Sequence, residues 1–162
     1  DTCESSVPGV YAVGDVNGGP QFTYVSLDDF RIVFGTLTGN GQYTLKDRKN
    51  IPYTTFLTPP LSRVGLTEED AINQGYTVKT KEMLVATMPR AHVNDYLKGA
   101  FKIVVDADND LILGATLYSQ GAEELINLIK MAMDNNIPYT YFKNQIFTHP
   151  TMAENLNDLC NF

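Results

Sequence analysis

Basic runs, long apolar runs and paired cysteines are all missing from this sequence, and each absence removes a class of function. The chain has 12 Lys and Arg against 19 Asp and Glu, a formal net charge of −7, and no stretch concentrates the cations. Such a surface does not attract phosphate backbones or anionic headgroups, so neither nucleic acid nor a membrane surface is expected as a partner. No apolar run approaches the roughly 20 residues of a bilayer span, and no signal-peptide pattern opens the chain, which points to a cytoplasmic compartment. The two cysteines, Cys3 and Cys160, stand at opposite ends of the chain. They form no CxxC, CxxxxC or zinc spacing. A disulfide between them is conceivable but does not follow from spacing, and reduced thiols are the simpler reading. The chain brings no redox dithiol of its own.

What is present suits one ordinary domain, or one domain plus a piece of another: 162 residues, 43% of them hydrophobic. The chain opens Asp1-Thr2-Cys3 with no initiator methionine and soon reads as the end of something, so an excised fragment is expected. Val10 to Val13 is a short β-type run closed by Gly14-Asp15, which places Asp15 at a strand end above a turn. There it could accept from a sugar-like hydroxyl, but Gly-Asp is a weak signal and an Asp that only stabilises its own turn is the simpler reading. Tyr24 to Leu37 predicts a helix buried on a broad face, with Asp28 and Asp29 in its first half. Gly39-Asn40-Gly41 breaks it, and Asp47 to Asn50 reads as a polar linker, so a domain boundary is placed between residues 1–50 and 51–162.

Beyond the linker the pattern is of strands with short helical inserts. Tyr53 to Thr58, Tyr76 to Ala86, Phe101 to Val105 and Leu111 to Leu117 read as strands, with a hairpin turn at Asp106 to Asp110. Thr67 caps a short helix that ends near Gly75. Ala122 to Asn135 is a helix so widely apolar that either the sheet and a second subunit share it, or the core is deep. Tyr139 to Phe147 gives a short helix. The fold class is α+β, an antiparallel sheet of three to five strands with helices packed on it. Met88 to His92 reads as a proline-marked loop. His92 and His149 lack HxxxH or HxxE spacing, so no metal site is expected. The scattered aromatics form no stacking platform.

The stretch Thr148-His149-Pro150-Thr151-Met152-Ala153-Glu154 carries the chemistry. Proline pushes the preceding residue out of the α region, so His149 lies on the lead-in to a helix with its ring free to point away. The His-Pro bond can also be cis. A histidine with an orienting carboxylate is a common general acid/base near neutral pH. Thr151-x-x-Glu154 is equally a capping box, with Thr151 at the N-cap. The two roles are compatible, because a carboxylate has two oxygens.

Several of these stretches together resemble the pyridine nucleotide-disulfide oxidoreductases. Tyr11-Ala12-Val13-Gly14-Asp15 is similar to their last flavin-binding motif, and Phe147 to Glu154 to their terminal HPTxxE signature. Leu61 to Glu68 and Gly121 to Leu125 extend the resemblance over nearly the whole chain. It implies the C-terminal dimerisation domain of an FAD enzyme, preceded by the tail of the FAD domain. The relatives are homodimers that pass electrons from NAD(P)H through flavin to a cysteine pair and on to a small-molecule oxidant or disulfide. By the resemblance His149 and Glu154 are the catalytic pair serving the opposite subunit's thiols. Gly14 and Asp15 fall on the ribityl-binding motif, and Gln21, Phe22 and Thr23 fall where the backbone approaches the flavin ring.

The Gly18 to Tyr24 and Pro138 to Phe142 stretches look most like the branch near mercuric reductases and bacterial hypothiocyanous acid reductases. Glutathione reductase and dihydrolipoamide dehydrogenase are further relatives. Cys160 stands alone where true mercuric reductases carry a cysteine pair. The CxxxxC dithiol and the dinucleotide-binding glycine motif are also missing, so this chain alone is expected to be inactive. A non-enzymatic dimerisation or binding module is the alternative, and a hydrolase built on His149 lacks any nucleophile motif.

Overall fold

Asn50, whose backbone is left-handed (φ 44°), stands where the chain passes from one of its two units to the other, Asp1–Lys49 and Asn50–Phe162. The computed structural model describes all 162 residues. In the first unit Val10 to Val13 does not form a strand. Only Tyr11 pairs, in an isolated antiparallel bridge to Glu4, because the unit supplies no neighbouring strand to complete a ladder. A 3-10 turn, Gly14–Asn17, leads to helix α1, Thr23–Thr38, which ends at the left-handed Gly39. The expected broad burial of α1 is not found: Val25, Asp29 and Ile32 are buried, whereas Leu27, Phe30, Phe34 and Leu37 are exposed. Within its own unit the helix has turns and loops along one side and no second layer for the other.

The second unit is an α+β fold built on a five-stranded antiparallel sheet. Its strands are β1 (Tyr53–Thr55), β2 (Leu61–Gly65), β3 (Val78–Leu84), β4 (Ala100–Asp106) and β5 (Ile112–Tyr118), in the order β1-β2-β5-β4-β3. Phe101, Ile103, Val105, Ala115 and Leu117 are buried, and their alternation along β4 and β5 turns one face of the sheet into the floor of the core. Helix α4 (Ala122–Asp134) lies on that face with Ala122, Leu125, Ile126, Ile129 and Ala132 buried. Its wide apolar arc is not wholly covered, since Leu128 and Met131 remain exposed.

The smaller helices are α2 (Glu68–Asn73), α3 (Pro89–Val93), α5 (Tyr139–Asn144) and α6 (Asn155–Leu159). Thr67 caps α2 in a reciprocal box with Asp70. Met88 to His92 is helical rather than loop, because Pro89 occupies the first helical position, where a missing N–H does no harm. Helix α5 stops at Asn144 instead of running to Phe147, as Gln145 is extended. Helix α6 packs on β3 and β4 and buries Leu156, Leu159 and Cys160. From edge strand β3, the Lys81 ammonium donates to the carbonyls of Asp158 (2.8 Å) and Asn161 (2.5 Å), tying down the end of α6.

Two glycines face each other where β2 leaves the sheet, Gly65 opposite Gly114. The chain folds back so closely that Leu66 N–H donates to Leu113 O at 2.9 Å. A Cβ on Gly114 would stand 2.1 Å from the Leu66 carbonyl oxygen and 2.7 Å from its nitrogen. These are backbone atoms that cannot step aside, so Gly114→Ala is expected to destabilise the chain by about 1–3 kcal/mol, as overpacking does. Thermal or denaturant unfolding measures this, and an unchanged midpoint would contradict the close approach.

Candidate functional site

The His149 segment is a projecting loop clamped at both ends by asparagine amides of α6. Asn157 Nδ2 donates to Phe142 O (2.6 Å) and Gln145 O (2.9 Å), fixing the exit from α5. Asn155, almost fully buried, donates to Thr151 O (3.2 Å) and Met152 O (3.0 Å), fixing the return. Thr151 Oγ1 donates to Thr148 O at 2.7 Å and so closes the turn across the His149–Pro150 peptide, which is cis. Sequence reading missed both asparagines, since an amide reaching two carbonyls leaves no spacing signature.

Glu154 divides its carboxylate. Oε1 accepts from Thr151 N–H at 3.2 Å, and Glu154 N–H donates back to Thr151 Oγ1 at 3.2 Å, so the reciprocal capping bonds form. They close a turn ahead of the α-helix, however: α6 begins at Asn155 with Glu154 as its N-cap, not Thr151. The other oxygen, Oε2, lies 2.7 Å from His149 Nδ1. The Glu154 side chain is 18% exposed and that of His149 is 68% exposed, so a shielded carboxylate backs an open imidazole. An ionised carboxylate can only accept, so Nδ1 carries the proton in this pair and Nε2 is the nitrogen available for exchange. Such a pair can take up or deliver a proton at a solvent-facing position.

No group of three His, Cys, Asp or Glu side chains is placed to hold a metal ion. His92 lies on α3, exposed, with Nε2 2.8 Å from Ala86 O. Both cysteines are free and buried. Burial pushes the Cys160 thiol up to about 12. An open cleft of about 680 Å³ in the second unit, beside Arg63, Glu68, Ile72 and Lys102, does not include the histidine. No helix is long and apolar enough to cross a membrane.

In the first unit the remaining candidates cluster around the Gly14–Asn17 turn and the start of α1. Gly14 is left-handed (φ 71°) and Asp15 is exposed. Gln21 and Thr23 are exposed, while Phe22 is half-buried, stacks on Tyr24 at 5.2 Å and is the N-cap of α1 without a side-chain cap bond. Behind the turn lies a feature that sequence reading did not find. Asp29, with no exposed surface, accepts from Gly14 N–H (2.7 Å) and Asn17 Nδ2 (2.8 Å) on one oxygen and from Arg48 Nη2 (2.5 Å) on the other. Arg48 Nε also reaches Asp28 Oδ2 at 2.7 Å. Burial opposes ionisation of Asp29, but the bonds from Arg48, Gly14 and Asn17 outweigh it and hold the carboxyl below the usual carboxylate range. The available signal was an acid pair among the apolar residues of a helix, with an arginine placed in the presumed linker.

The family described as "Pyridine nucleotide-disulphide oxidoreductase, dimerisation domain" matches residues 51–160. A protein of Escherichia coli strain K12, the probable pyridine nucleotide-disulfide oxidoreductase RclA, is 50% identical over 93% of this chain and 34% of its own length. Mercuric reductase of Staphylococcus aureus is 35% identical over 91% of this chain and 27% of its own length. Among solved structures, the HOCl-induced flavoprotein disulfide reductase RclA from Escherichia coli superimposes with a TM-score of 0.95. The identity there is 47%, over 98% of this chain and 37% of that one. The chain thus spans about a third or less of the length of these curated relatives.

Two outcomes follow from the geometry. Glu154→Ala removes both carboxylate bonds and is expected to destabilise the chain by about 1 kcal/mol, as loss of a cap does, whereas Glu154→Gln keeps an acceptor for Thr151 N–H and stays near wild type in a melting experiment. Equal losses in the two variants would mean that the capping bond is not what stabilises the turn. Cys160, buried and protonated, is expected to resist a disulfide-exchange reagent near pH 8 until the protein is unfolded. Rapid labelling of the folded chain at Cys160 would contradict its burial.

Proposed function

Since the chain belongs to the pyridine nucleotide-disulphide oxidoreductase dimerisation-domain family, we propose that it serves as the C-terminal part of an FAD-dependent NAD(P)H:disulfide oxidoreductase that works as a homodimer. In that reading residues 51–162 form the subunit interface and residues 1–50 are the tail of the FAD domain. His149 and Glu154 are supplied across the interface to the partner subunit's redox dithiol. The substrate is a small-molecule disulfide or oxidant, and the enzyme is cytoplasmic. The observation that carries the reading is the 2.7 Å contact between His149 Nδ1 and a largely shielded Glu154.

The chain's own residues would act as follows. Reduction of a disulfide consumes two electrons and releases thiols that must be protonated. With Nδ1 held on Glu154, Nε2 takes the proton from an attacking thiol, making the reactive thiolate. The imidazolium, stabilised by the carboxylate beside it, then returns that proton to the departing sulfur. Bound FAD would supply the hydride-accepting step between NAD(P)H and the dithiol. The donor set of the first unit fits such a group. Asp15 offers an exposed acceptor for ribityl hydroxyls, and the start of α1 at Gln21, Phe22 and Thr23 favours negative charge on an adjacent ring.

Replacing His149 by Ala in the full-length enzyme is expected to slow turnover by about 10²–10⁴-fold, the usual contribution of a positioned acid/base, while the dimer mass measured by light scattering is unchanged. Full turnover in that variant would remove the catalytic assignment.

A further inference from the structure

Asp29 and Arg48 are more elaborate than holding a helix requires. A carboxylate with no exposed surface has to be compensated at every oxygen. Here the compensation is divided by origin. One oxygen is neutralised by the Arg48 guanidinium, whose side chain is only 11% exposed and which also spans to Asp28. Tyr43 O–H donates to Asp28 on the same oxygen at 3.3 Å. The other oxygen collects two donors from a distant piece of chain, the Gly14 N–H and the Asn17 amide. Those donors are the first and last residues of the Gly14–Asn17 turn, so the carboxylate grips the turn at both ends. Between them stand Asp15 and Val16, both exposed.

The grip leaves little room for error. A Cβ on Gly14 would meet Ser26 Oγ of α1 at 3.0 Å. Asn17 is itself committed, its Oδ1 accepting from Gly19 N–H at 2.9 Å while its Nδ2 donates to Asp29. A largely buried cluster built on one fully buried acid seldom adds stability over well-packed apolar side chains, so geometric specification is the more natural role for it.

We propose that Asp29, neutralised by Arg48, is the positioning residue that locks the Gly14–Asn17 turn so that Asp15 is presented ready-made to a ribityl hydroxyl of the flavin. The proposal rests on the reading of Asp15 as flavin-facing. A pre-set turn avoids ordering the chain when the ligand binds, so the clamp acts on affinity without touching the ligand.

The test uses the full-length enzyme, stripped of flavin and titrated with FAD, with visible circular dichroism of the bound flavin as a second readout. Asp29→Asn keeps the shape of the side chain and removes its charge. It is expected to weaken FAD binding by roughly tenfold, the scale of a hydrogen bond to a charged group, and to alter the flavin dichroism. Arg48→Lys keeps the positive charge but cannot bridge both acids, so it is expected to weaken binding several-fold; it is the second variant should Asp29→Asn not fold. Asp15→Asn weakens binding alone but adds little in the Asp29→Asn background, because the two act through one contact.

If Asp29→Asn and Arg48→Lys lower the melting temperature of the apoprotein yet bind FAD with wild-type affinity and dichroism, the clamp is structural only and the proposal falls. If Asp15→Asn alone leaves FAD affinity unchanged, the flavin-facing reading of Asp15 falls, and the proposal with it. Full additivity of Asp15→Asn and Asp29→Asn would likewise show that the two residues act independently.

Discussion

The two oxygens of Glu154 face different demands, and the terminal segment depends on both being met at once. One oxygen accepts from Thr151 N–H at 3.2 Å and the other stands 2.7 Å from His149 Nδ1. The first bond fixes the carboxylate relative to the chain, and the second then fixes the ring relative to the carboxylate. Because the capping bond uses the other oxygen and needs nothing from the ring, little further ordering is needed to orient the imidazole. A side chain positioned by backbone bonds and amide clamps is a more exact support for chemistry than a free loop. The exposed histidine therefore inherits its geometry from a part of the fold that is not itself exposed.

A comparable division of labour is found in the first unit. Asp29 faces inward and holds the ends of a turn whose exposed residue, Asp15, has an oxygen to offer. In each case the inward carboxylate is satisfied by the chain and the outward group is left open. Inward carboxylates are costly to bury, which confines them to places where every lone pair finds a donor. The exposed apolar side of α1, with Phe30 and Phe34 side by side at 5.7 Å, contrasts with that completeness. Polar satisfaction within the unit is finished even though apolar burial is not.

How much of this was legible depended on whether the relevant physics is local. Phe101 to Val105 alternates and the turn at Asp106 to Asp110 sends it back through the β-type run Leu111 to Leu117, so the central hairpin could be read directly, as could the apolar stripe of α4. Strand β2 could not, because its inward position Ser62 is polar. The hydroxyl is buried and paired with Thr54 Oγ1 at 2.8 Å on the neighbouring strand, a partnership no single stretch announces. Pro89 read as a breaker when it opens a helix, since the same missing N–H serves both purposes. Thr151-x-x-Glu154 foretold its reciprocal bonds but not where the α-helix starts, because the bonds close one turn and continuation depends on how α6 packs. Asp29 and Arg48 escaped altogether: their partnership spans 19 residues and has neither helical nor strand periodicity.

The tie from Lys81 to the carbonyls of Asp158 and Asn161 has a dynamic consequence. Lys81 belongs to β3, which has a neighbour on one side only, and an edge strand frays before a central one. When β3 loosens, the far end of α6 loses this tie, and that short helix carries Asn155 and Asn157 and begins directly after Glu154. The rim of the sheet and the segment that carries the imidazole are thus joined through one short helix, tied at its far end by a single ammonium.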